Sequence, residues 1–155
     1  MTRQGRAQSS MQRPKLSSRM QPIISGKRDL KAPHVVIIDD DESVRNAMEN
    51  LIRSLGYSAE AFGSAKAFLE SNTIQTASCL ISDIHMPEMS GVELQRHLSA
   101  AGHRTPIIFM TARPNDATRA RVIGDGAIGY LNKPLCERSL LASLNQALNL
   151  HENEF

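Results

Sequence analysis

Short apolar runs alternate with amphipathic segments from residue 33 onward, and that alternation predicts the fold. Val35-Val36-Ile37-Ile38 is an unbroken β-branched run, the pattern of a strand buried on both faces. Over 42–55, Val44, Ala47, Met48, Leu51, Ile52 and Leu55 recur at helical spacing, with acids at the start and Gly56 at the end. Residues 58–62 predict a short second strand, and Ser64 predicts the cap of a helix that buries Ala65, Phe68 and Leu69. A third strand follows over 79–82. Leu94, Leu98 and Ala101 predict a helix over 92–101, stopped by Gly102. Thr105-Pro106 leads into a fourth strand over 107–110, and a weakly amphipathic helix over 114–123 ends at Gly124 and Gly126. The fifth strand spans 127–131. The last helix, over 137–150, places Leu140, Leu141, Leu144, Ala147 and Leu148 on one face. The pattern is (βα)5. Helices of this length between buried strands imply right-handed crossovers and a doubly wound α/β fold, a parallel five-stranded sheet covered on both faces.

Composition refines this picture in two ways. Aromatic residues make up only 4% of the 155-residue chain and Trp is absent, so the core must be aliphatic. Charge is divided unevenly: residues 1–32 carry eight of the 18 basic residues and one of the 16 acidic ones. A basic segment of about +7 therefore precedes a domain of about −5, which the net charge of +2 conceals. Residues 1–32 lack periodicity and aromatics, and are expected to be a disordered extension. That extension reads as a passive tail, as an electrostatic arm for nucleic acid or an acidic partner, or as an Arg- and Ser-rich transit peptide. Residues 33–150 form the predicted domain and 151–155 a short C-terminal tail. Cys79 and Cys136 lie in or beside apolar segments without a partner motif and are expected to be reduced, partly buried thiols. No apolar run approaches the ~20 residues of a membrane span, and the N-terminus has no apolar stretch of the secretory type.

The chemistry sits at the strand ends. The first strand ends in Asp39-Asp40-Asp41-Glu42, the third in Asp83, the fourth in Thr111 and the fifth in Lys133-Pro134. In an open α/β sheet the carboxyl ends of the strands share one edge, where ligands bind. Together these groups suit metal-dependent phosphorylation of Asp83. Nucleophile and phosphoryl group are both anionic, so a divalent cation must lie between them. Mg2+ is hard, prefers oxygen ligands and binds through one or two carboxylates plus phosphate oxygens, with Mn2+ as a substitute. Lys133 and the Thr111 hydroxyl are placed to donate to the remaining phosphoryl oxygens. Taken singly, Asp39 to Glu42 would serve equally well as an N-cap and first-turn acids, and Thr111 as a structural hydroxyl. His34, His97, His103 and His151 show no metal spacing.

Over residues 33–150 the chain resembles the receiver domain of two-component response regulators, most closely receivers joined to a LuxR-type output domain. The resemblance rests on Ile38-Asp39-Asp40-Asp41, on Asp83-Ile84-His85-Met86-Pro87 followed by Ser90-Gly91, on Met110-Thr111-Ala112 and on Lys133-Pro134. It implies a flavodoxin-like strand order 2-1-3-4-5 and Asp83 as phosphoacceptor. It implies metal ligation by Asp39, Asp40, Asp83 and the backbone carbonyl of His85. Thr111, Lys133 and Tyr130 would be phosphoryl-binding and switch residues, and the side chains of His85 and Arg113 would tune dephosphorylation.

The function expected from the resemblance is that of a cytoplasmic single-domain response regulator, not an enzyme beyond self-phosphorylation and self-dephosphorylation. Its phosphoryl source would be a sensor histidine kinase or a histidine phosphotransfer protein. Its output would be phosphotransfer or binding of a target protein, with a phosphorylation-dependent dimer open. Two other classes compete. Haloacid dehalogenase-like phosphatases also use a strand-end Asp, Mg2+ and a Lys, but their nucleophile motif is Asp-x-Asp, and His85 fills the second position here. A DNA-binding regulator would rest on the basic segment, since no output domain is expected in the few residues after 150.

Overall fold

The computed structural model describes residues 32–153. The chain divides into two units, Met1–Ala32 and Pro33–Phe155, and only the second is described here. The expectation of a disordered basic extension therefore lies outside the described residues. The second unit consists of strands β1 (His34–Ile38), β2 (Ser58–Phe62), β3 (Cys79–Asp83), β4 (Ile107–Thr111) and β5 (Gly129–Asn132). They alternate with helices α1 (Glu42–Ser54), α2 (Ala65–Glu70), α3 (Gly91–Ala100), α4 (Asp116–Gly124) and α5 (Glu137–Asn153). All four strand pairings are parallel, and the sheet order is β2-β1-β3-β4-β5, the 2-1-3-4-5 arrangement.

Continuous apolar strands explain why both faces are covered. Successive side chains point to opposite sides of a strand. Val36, Ile38, Leu80, Ile107 and Phe109 thus meet Phe68 of α2, Leu94 and Leu98 of α3 and Val122 of α4. Val35, Ile37, Cys79, Ile81, Ile108 and Met110 meet Met48 and Ile52 of α1 and Leu140, Leu144 and Ala147 of α5. Burial of each Leu or Ile side chain contributes about 1.5–3 kcal/mol, which offsets the ordering of short strands. The helices begin where side chains satisfy their first N–H groups. Asp41 accepts from Ser43 N and Val44 N, Ser64 from Ala67 N, and Ser90 and Glu93 form a capping box.

Three sequence expectations are corrected. Helix α4 starts at Asp116 and not at Pro114, because the Asn115 side chain accepts from Thr118 N and fixes the cap there. Strand β5 starts at Gly129, since Ala127 N–H is committed to Val122 O and closes α4. Helix α5 runs on to Asn153, so residues 151–153 are no tail; no Gly or Pro interrupts it.

The two thiols differ more than their sequence contexts suggest. Cys79 is fully buried, and that burial pushes its thiol up to about 12. Cys136 is exposed, and the backbone N–H and hydroxyl of Ser139, with the Arg138 N–H, hold its thiol below the ordinary value. Iodoacetamide at neutral pH should therefore modify Cys136 and spare Cys79 in the folded protein. Peptide mapping that found both alkylated equally would show that the β3 core is open to reagent.

Candidate functional site

Parallel register decides which groups meet. Ile38 pairs with Ser82, Asp83 with Met110 and Thr111 with Asn132, so four strands finish almost in step. Asp39, Asp83, Thr111 and Lys133 therefore emerge along one edge of the sheet. There the Lys133 ammonium lies 2.7 Å from Asp39 Oδ2 and 3.2 Å from Asp83 Oδ2. The Asp39 and Asp83 side chains are 0% and 9% exposed and that of Lys133 18%, so these contacts are shielded from solvent. Carboxylate oxygens of Asp39, Asp40 and Asp83 all lie within 4.8 Å of one another.

The electrostatics follow from this crowding. Burial raises the Asp39 carboxyl above its ordinary value, against the pull of Lys133 and of the Asp41 N–H, which donates to Asp39 Oδ1 at 2.8 Å. Burial works against the Lys133 ammonium too, but hydrogen bonds and charge attraction, first from Asp39 and then from Asp83, outweigh it and hold its pKa up. When ionised, three carboxylates facing one ammonium leave the cluster with excess negative charge and oxygen donors only. That donor set fits a hard divalent cation such as Mg2+.

The acidic run divides its work. Asp39 is buried and paired with Lys133, and Asp40 is exposed at the edge of the cluster. Asp41 instead caps α1: its carboxylate accepts from the Ser43 hydroxyl and from the Ser43 and Val44 N–H groups, which hold it below its ordinary pKa. The capping reading of the run thus holds for Asp41, while Asp39 and Asp40 are brought together with Asp83 in the acidic cluster.

The other candidates occupy distinct environments. Thr111 is fully buried; its hydroxyl oxygen accepts from Arg113 N at 3.0 Å and its carbonyl from Lys133 N at 2.8 Å. The Tyr130 hydroxyl accepts from Asn115 N at 3.1 Å, which ties it to the N-cap of α4. The His85 N–H donates to Asp83 Oδ1 at 3.3 Å, while the His85 and Arg113 residues are exposed.

Sequence reasoning missed two supports. Arg45 reaches back from α1 and donates from Nη1 to the Asp39 carbonyl at 2.8 Å. A side chain at position 63 would crowd that guanidinium, with a Cβ only 3.3 Å from Nη1. Gly91, the first residue of α3, lies so close beneath the site that a Cβ would overlap the Asp83 carbonyl oxygen and press on Phe109. Nothing in the sequence around Gly91 announces the contact with Asp83.

Residues 35–145 match the family described as the response regulator receiver domain. The chain is 38% identical over 131 residues to the response regulator protein TodT of Pseudomonas putida, covering 83% of this chain and 58% of TodT. It is 40% identical over 116 residues to the response regulator protein TmoT of Ectopseudomonas mendocina, covering 75% of this chain and 53% of TmoT. The chain thus spans little more than half the length of these curated relatives. Among solved structures, the response regulator StyR superposes with a TM-score of 0.74 at 41% identity, over 79% of this chain and 62% of StyR. The structure titled FixJ-N superposes with a TM-score of 0.69 at 27% identity, over 77% of this chain and 96% of that one. Family match, strand order and strand-edge cluster agree, and this chain belongs to the receiver domain family of two-component response regulators.

Proposed function

We propose that the chain receives a phosphoryl group on Asp83 and signals by the conformational change that follows. The observation that carries this reading is the Lys133 ammonium lying between the carboxylates of Asp39 and Asp83 inside a three-carboxylate cluster. In this reading an Asp83 oxygen forms the new P–O bond as the P–N bond of a donor phosphohistidine breaks. The donor is a sensor histidine kinase or a histidine phosphotransfer protein. The Lys133 ammonium, already aimed at Asp83, donates to the incoming phosphoryl oxygens. The Thr111 hydroxyl turns from Arg113 N to join it. Asp39, Asp40, Asp83 and the His85 carbonyl would hold Mg2+, or Mn2+ in its place, which would neutralise the charge that gathers there. Exposed His85 and Arg113 flank the edge and govern how easily water reaches the acyl phosphate. No helix among the described residues is long and apolar enough to cross a membrane. A cytoplasmic protein acting on a target protein, by binding or by onward phosphotransfer, fits this reading.

Incubation with acetyl phosphate and Mg2+ should give one phosphoryl adduct, labile to hydroxylamine and mapping to the peptide that contains Asp83. No adduct in Mg2+, or an equal yield in EDTA, would overturn the reading. Asp40→Ala should in addition weaken Mn2+ binding while leaving the fold intact, since Asp40 is exposed and its side chain supports no core contact. Outer-shell changes at metal sites already cost roughly 10–100-fold in affinity, and loss of a ligating carboxylate should cost no less. Equal Mn2+ affinity by electron paramagnetic resonance would remove Asp40 from the ligand set.

A further inference from the structure

Helix α4 is held to the rest of the domain by few contacts. Val122 is its one buried residue, and Ile123 beside it is exposed. At the N-terminal end, the Tyr130 hydroxyl binds Asn115. At the C-terminal end, Gln95 of α3 donates from Nε2 to the Val122 carbonyl at 3.0 Å. Gln95 is only 5% exposed, and its Oε1 is, among the described residues, the one buried side-chain oxygen or nitrogen without a hydrogen-bond partner. The orientation of the amide is fixed by chemistry, because the Val122 carbonyl requires a donor and Oε1 cannot supply one.

A half-satisfied buried amide is a poor way to stabilise a helix interface. An unpaired buried acceptor costs more than the neighbouring hydrogen bond returns, and an apolar side chain of the same size would pack at lower cost. Its place in the fold suggests another use. Gln95 stands one helical turn from Gly91, on the same face of α3, and Gly91 packs under the Asp83 carbonyl. One turn of α3 thus connects the Asp83 backbone to the last turn of α4. Just past that turn lies a cleft of about 400 Å³ lined by Gln95, Leu98, His103, Asp125, Gly126 and Ile128.

We propose that Gln95 is a positioning residue for the switch, a latch that holds the C-terminal turn of α4 in its unphosphorylated place and is released when α4 shifts. This rests on Asp83 being the phosphoacceptor. A ligand that favours the shifted state must break the latch, so removing it lowers the work the ligand does and raises its apparent affinity. The Gln95→Leu variant keeps side-chain volume, removes the bond to Val122 and removes the unpaired oxygen.

Beryllofluoride with Mg2+, followed by amide NMR, tests this. Gln95→Leu should bind beryllofluoride about three- to tenfold more tightly than wild type, the range of one neutral hydrogen bond. Without ligand, its α4 amides should already be displaced along the line joining the free and bound wild-type positions. A purely structural role would alter melting temperature without either change. In wild type, the Gln95 side-chain N–H signals should lose protection on beryllofluoride binding, which tests the latch even if the variant folds poorly. Unchanged affinity with α4 amides at the free positions, or retained Gln95 protection in the bound wild type, overturns the latch alone. Wild-type protein that does not bind beryllofluoride overturns the Asp83 reading and the latch with it.

Discussion

Asp83→Asn is expected to abolish the phosphoryl adduct while the domain stays folded. An amide oxygen is a far weaker nucleophile than a carboxylate, so no acyl phosphate forms. The fold should survive because the substitution is isosteric and Lys133 keeps its shorter contact, 2.7 Å to Asp39. Removing a charge from a crowded acidic cluster also relieves repulsion, so the melting temperature should hold or rise slightly. Mass spectrometry after acetyl phosphate treatment, with circular dichroism as the folding control, reads both. A hydroxylamine-labile adduct that survived in this variant would mean that another carboxylate is the acceptor.

Gly91→Ala should produce the largest loss of stability among single-atom changes near the site. The added methyl overlaps the Asp83 carbonyl oxygen, a backbone atom, and presses on the ring of Phe109, which is fully buried. Neither neighbour is the flexible end of a surface side chain, so the helix start or the β3 terminus must shift. Overpacking of this kind costs about 1–3 kcal/mol, which for a domain of this size lowers the melting temperature by roughly 4 °C per kcal/mol. The Asp83 backbone moves with it, so phosphorylation by acetyl phosphate should slow as well. A Gly91→Ala protein with wild-type melting and labelling would show that the close approach is slack.

The parts of this molecule that were legible in its sequence are those where one residue type answers one local demand. Val35 to Ile38 reads as a strand because β-branched side chains fit a sheet covered on both faces, and β1 is buried from Val35 to Ile38. Ser64 announces its helix because a hydroxyl is needed where backbone N–H groups lack partners, whereas the capping box of Ser90 and Glu93 emerges only in the structure. Helix α4 was harder to place. With a single buried residue it has almost no periodic signal, and its start depends on a hydrogen bond that the Asn115 side chain accepts from Thr118 N–H. The site was legible as a set of strand ends, but not as a geometry. Lys133 meets Asp39 across 94 residues of sequence, and no local pattern encodes that distance. Arg45 and Gln95 look like ordinary polar residues on amphipathic helices. Their roles come from tertiary partners, a carbonyl at the end of β1 and a carbonyl in α4.

The crowded carboxylates at the strand edge have a consequence for how the domain should be handled and compared. Any ion that binds the folded cluster and not the unfolded chain adds stability in proportion to the logarithm of its concentration. At a hundredfold excess over the dissociation constant this amounts to about 2.7 kcal/mol, a sizeable share of the roughly 5–15 kcal/mol that holds a typical domain together. With Mg2+ in the site proposed for it, three carboxylates within 4.8 Å would make thermal stability a reporter of the divalent ions in the buffer. Melting temperatures taken in chelator and in millimolar Mg2+ would then describe two different thermodynamic states of one fold. A mutation in the cluster can destabilise one of them and stabilise the other.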